Sequence, residues 1–126
     1  MPHALNFFVG WCLILGAFVV GAAIGIGFHR DGYLGGYASF RRRLLRLGHV
    51  ALAALGILNV LFGLAPVPVA GTTMSCWSGG LLIAGGATMP LICFLAAWRP
   101  PFRHLFFVPV TLLVGAVVLV IVEVAP

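Results

Sequence analysis

Four long apolar stretches, divided by short polar or glycine- and proline-rich segments, set the pattern of this chain. They cover about residues 7–28, 44–64, 79–98 and 105–124. None shows the two-residue alternation of a half-buried strand, and each is apolar on all sides. A helix of that kind must be covered all round, which a bilayer does and a small soluble core does not. At about 1.5 Å per residue, some twenty residues cross a hydrocarbon core of about 30 Å. The pattern therefore predicts an all-α integral membrane protein: one domain over residues 1–126, built as a bundle of four transmembrane helices with antiparallel neighbours.

The breaks between the stretches are as informative. Ser39 is a candidate N-cap, from which a second helix would run through the basic segment RRRLLRLGH into its apolar half. Pro66 and Pro68 are expected to end that helix. The following loop, through Met74 and Cys76 to Gly79, carries no charge. Pro90 should kink the third helix, and Pro109 falls in the first turn of the fourth. Gly21 and Gly25 form a GxxxG, a device for close approach of helices within the chain or between copies in a homo-oligomer.

Charge orients the pattern. All seven Lys and Arg residues are arginine, and all fall beside or between the first and second stretches or between the third and fourth. Basic loops stay cytoplasmic, so both termini are expected outside, in a bacterial-type inner (plasma) membrane. Trp11 and Trp77 would then mark the outer interface and Trp98 the inner one. With 63% hydrophobic and 7% charged residues, the net charge of +5 points to anionic lipid headgroups at Arg41, Arg42, Arg43 and Arg46, or to an acidic partner, and not to nucleic acid. MPHALN lacks the basic lead of a secretory signal, so the first stretch reads as a retained helix. Three cysteines without a CxxC give no disulfide framework.

Two sets of side chains could carry chemistry. His29, His49 and His104 stand near the cytoplasmic ends of three helices, where they could meet at one depth. Neutral imidazoles could ligate haem b or another metal, or adjoin a quinone, and interfacial placement explains the same residues without a ligand. His49, Ala53, Gly56 and Gly63, with Asn59 at the edge, form a stripe that would leave room for a haem. The second set is sulfur: Met74 and Cys76 in the outer loop, Met89 and Cys93 one turn apart on the third helix. These suit Cu(I), or simply fill gaps near Pro90. Asn59 is expected to hydrogen-bond across helices, and Glu123 lies near the outer end, away from the midplane position of a transport carboxylate.

No acidic residue precedes Asp31, and no sequence repeat relates the two halves. The sequence thus favours a non-catalytic accessory or assembly subunit of a larger inner-membrane complex, respiratory complexes included. An electron-transfer subunit using haem or quinone, and a small transporter or copper-handling protein, are the alternatives.

Overall fold

The computed structural model of the chain describes residues 2–65 and 73–125. Among these, four helices follow in order: α1 (Pro2–Phe28), α2 (Phe40–Gly63), α3 (Thr73–Trp98) and α4 (Phe107–Val124). A 3-10 turn at Tyr33–Gly35 interrupts the α1–α2 connection, and a 3-10 segment at Pro100–Phe106 leads directly into α4. The spans, counting that lead-in with α4, are 26, 24, 26 and 25 residues, all long and apolar enough to cross a membrane.

The helix boundaries follow local chemistry. Ser39 caps α2 as expected, its hydroxyl accepting from the Arg42 amide at 3.3 Å. At the far end of α2, the Leu64 amide donates to the Val60 carbonyl at 3.0 Å. Pro66 and Pro68 lie outside the described residues. Pro100 and Pro101 occupy the first positions of the 3-10 segment, where a missing amide costs no hydrogen bond. Pro90 is buried within a continuous α3.

Two helices begin earlier than the sequence predicts. α1 starts at Pro2 and α3 at Thr73, so His3, Asn6, Ser75 and Ser78 are helical residues. Met74 and Cys76 are likewise on the first turns of α3, not in a loop. Serine can lie in a helix when its hydroxyl bonds back to the preceding turn. Ser78 does so, reaching the Met74 carbonyl at 3.0 Å and that of Ser75 at 3.2 Å.

The packing is centred on α3, which contacts α1, α2 and α4. α1 also packs along α2, whereas α4 leans on α3 and makes no comparable contact with α1 or α2. The arrangement is a three-helix core with a fourth helix on its flank, not a closed square. Two apolar clusters mark its ends. One joins Leu44, Ala96 and Ala97 with Phe102 and Phe106, and the other joins Phe62, Leu82 and Ala116. All seven arginines gather at the first of these ends.

The close approach of α1 and α2 is made by glycines other than the expected pair. A Cβ on Gly10 would stand 2.7 Å from the Gly56 carbonyl oxygen, and one on Gly56 would stand 2.9 Å from that of Gly10. Gly25 faces nothing within 4 Å, and Gly21 faces the ring of His49. Of the GxxxG pair only Gly21 therefore meets α2, through a side chain; the antiparallel register brings the backbones together at Gly10 and Gly56.

Candidate functional site

Polar side chains collect in three places. The first is a buried cluster at the end away from the arginines. Asn6 and Asn59 are both 0% exposed, and the Asn6 Nδ2 donates to Asn59 Oδ1 at 2.8 Å and to the Gly79 carbonyl at 3.0 Å. Asn59 Nδ2 donates in turn to Leu55 O at 2.9 Å and Leu82 O at 3.3 Å. Three helices are thus joined through two amides. His3 lies beside them, stacked on Phe62 with ring centroids 4.9 Å apart. Its Nδ1 faces the Phe62 carbonyl at 2.9 Å and so carries the proton, while Nε2 meets Ser75 Oγ at 2.9 Å. The imidazole therefore gives a second donor to a carbonyl in the last turn of α2, which also accepts from the Ala65 amide at 3.1 Å.

The sequence reading anticipated a cross-helix bond from Asn59 but missed Asn6, His3, Ser75 and Ser78, since all four were assigned to helix ends or a loop. A signal was available. An antiparallel hairpin pairs residues equidistant from its turn, and that rule matches Asn6 with Asn59 and Gly10 with Gly56.

The second place is the α1–α2 connection. Leu34, Gly35 and Gly36 all have positive φ, at 54°, 90° and 89°. These three left-handed residues turn the chain so that Tyr37 lies beneath α2. Arg42 is only 4% exposed, with its guanidinium 4.2 Å from the Phe28 ring centroid and donating to Asp31 O at 3.3 Å. Arg46 lies 4.5 Å over the Tyr37 ring and donates to Tyr37 O at 3.3 Å. Of the four clustered arginines, Arg41 and Arg43 are exposed, while Arg42 closes the loop onto the helices.

The third place is His49, half-buried in the seam between α1 and α2. Its ring lies against Gly21, whose Cβ, if present, would be 2.7 Å from Cε1. Grooves of about 520 Å³ and 330 Å³ flank it, the first reaching Ala53 and Ile57 and the second Phe28 and Arg46. Of the expected small-residue stripe, only Ala53 shares this groove. Gly56 and Gly63 face α1 at close range instead.

The other histidines stand apart from His49. His29 is exposed, its Nδ1–H donating to Gly25 O at 3.2 Å. It follows the last residue of α1, about 12 Å along the chain axis beyond Gly21, the residue level with His49. His104 is exposed on the segment leading to α4, a helix that does not pack against α1. His49 is not at a helix end: α2 already runs as helix for nine residues before it, whereas His29 directly follows α1. The sulfur set divides similarly. Met74 and Cys76 are at one end of α3, and Met89 and Cys93 lie about 20 Å further along it. Cys76 is exposed and Cys93 buried. Among the described residues, no three His, Cys, Asp or Glu side chains gather as a metal site would require.

The chain matches no known protein family, no curated protein and no solved structure, so the reading of its function rests on its own geometry.

Proposed function

We propose that this chain is a multi-pass protein of a bacterial-type inner membrane, acting as a non-catalytic accessory or assembly subunit of a larger membrane complex. The arginine end is cytoplasmic in this reading, and both termini are outside. The observation that carries it is the position of α4. This helix has the highest mean hydropathy of the four spans, yet only 11% of its apolar window is buried, against 44% for α3. It offers a long side surface of Val110, Val114, Val117, Val118 and Ile121, all exposed among the described residues. Supporting this, the two buried asparagines and Arg42 are engaged in holding helices together, which is scaffold work.

Electron transfer through haem b or a quinone is the second reading, and it draws on His49, whose grooves of about 520 Å³ and 330 Å³ are larger than the one of about 260 Å³ beside His104. A haem held there would have His49 as its axial ligand, with His29 and His104 placed elsewhere. Copper handling has less support, since the four sulfurs form two separate pairs.

One purification separates these readings. A photo-crosslinking residue at Val118, activated in the native membrane, should give a discrete adduct with one partner protein. Val114→Arg, which puts a cation on the same face, should abolish it. The same preparation should show no Soret absorption. Adducts to lipid alone would overturn the accessory reading, and a Soret band lost in His49→Ala would establish the redox one.

A further inference from the structure

The α1–α2 seam contains a polar group that the bundle does not use. The Nδ1 of His49 is buried and meets no hydrogen-bond partner, while its Nε2 is neither buried nor bonded within the chain. A nitrogen shut away from any acceptor is a poor place for a proton. The neutral ring therefore carries its N–H on Nε2, the nitrogen left open. Gly21 is what allows the imidazole to lie flat in the seam, since any larger residue there would meet the ring.

The two grooves beside His49 share Gly21 and His49 as walls and so follow one another along the seam, as a furrow that the imidazole borders. One end, at Ile14 and Ile57, is wholly apolar. The other end holds Arg46, whose guanidinium is steadied by Tyr37 through one of its N–H groups and keeps the others available. A furrow with a cation at one end, an N–H donor one turn in and apolar walls beyond it fits an amphipathic molecule.

Spacing and charge narrow the class. Arg46 and His49, three residues apart, share one helix face, with His49 deeper by about 4.5 Å. The polar layer on each side of a bilayer is about 5–7 Å thick. A phosphate at Arg46 therefore brings an ester carbonyl to the level of His49. A quinone head is uncharged and would gain little from the guanidinium, whereas a phosphodiester gains a charge-assisted hydrogen bond.

We propose that the α1–α2 seam binds one anionic phospholipid. Its phosphate rests on Arg46, an ester carbonyl accepts from His49 Nε2–H, and an acyl chain runs past the imidazole along Ala53 toward Ile57. The site depends on the membrane reading above but not on the accessory role.

Native mass spectrometry of the intact protein, released from detergent with added lipid, tests it. Phosphatidylglycerol should be retained one per chain and about tenfold more tightly than phosphatidylcholine with the same acyl chains. Arg46→Gln should erase that preference. Ala53→Leu, which fills the furrow without changing charge, should lower retention of both lipids. Arg43→Gln removes the same charge outside the furrow and should change neither, with circular dichroism verifying that each variant is folded. Equal retention of the two lipids by the unaltered protein would overturn the site. So would equal losses in Arg43→Gln and Arg46→Gln, which mean diffuse attraction, or displacement of the lipid by equimolar short-chain quinone. A chain that stays soluble without detergent would overturn the membrane reading itself.

Discussion

Asn6 and Asn59 each bury a primary amide completely, and each reaches a backbone carbonyl of α3 as well as the other's side chain or its own helix. An amide left without partners in such surroundings costs about 1–3 kcal/mol, so removing one asparagine harms the other. A double-mutant cycle on Asn6→Ala and Asn59→Ala, followed by thermal unfolding in detergent, should show a coupling of about 0.6–1.7 kcal/mol. Additive losses would mean that the two amides act independently. Arg42 invites a similar comparison with its neighbours. Its guanidinium covers Phe28 and bonds the Asp31 carbonyl, so Arg42→Gln should lower stability by about 1–2 kcal/mol. Arg43→Gln, at an exposed position, should stay within about 0.5 kcal/mol. Equal effects would place Arg42 with the surface charges.

At the scale of the helix, contact between α1 and α2 depends on two small residues facing one another. A Cβ at Gly56 would press on Ile14 and on the Gly10 carbonyl, and backbone cannot move aside as a flexible side chain can. Gly56→Val should therefore destabilise the fold by about 1–3 kcal/mol. Gly80, with nothing within 4 Å of its would-be Cβ, is the matching control. Gly80→Ala should be neutral or stabilise α3 by up to about 1 kcal/mol, because alanine restricts the unfolded chain and favours helix. Thermal unfolding of the two variants decides whether the Gly10–Gly56 crossing holds the hairpin. In α4 only Pro109 and Ala116 are buried. Its main packing partner among the described residues is α3, which it contacts about as extensively as α2 does.

For the molecule as a whole, the separation of charge from the asparagine cluster is the feature that a membrane would read. Every arginine lies at one end and the hydrogen-bonded cluster at the other, about a bilayer apart along the helices. Reporter fusions after Arg46 and after Arg103 should be cytoplasmic, and fusions after Gly71 and at the C-terminus external. Replacing Arg41, Arg42 and Arg43 together with glutamine should produce a mixed orientation. A cytoplasmic C-terminus in the unaltered protein would refute the topology.

What the sequence by itself determines is the number and rough extent of the helices, the cap at Ser39, and the collection of arginines at one end. These depend on near-neighbour patterns: long apolar runs, a serine before a helix, charge confined to alternate loops. Where polar residues border an apolar run, local pattern misleads. His3, Asn6, Ser75 and Ser78 read as ends or loop because their partners are more than fifty residues away, or because a hydroxyl bonds back into its own helix. Tertiary structure alone decides that α4 flanks α3, which separates His104 from the other histidines. It decides too that register brings Gly10 onto Gly56 and Gly21 onto His49. Such pairings depend on how two helices slide and rotate against each other, a choice fixed by side-chain fit along the whole interface and not by any one segment.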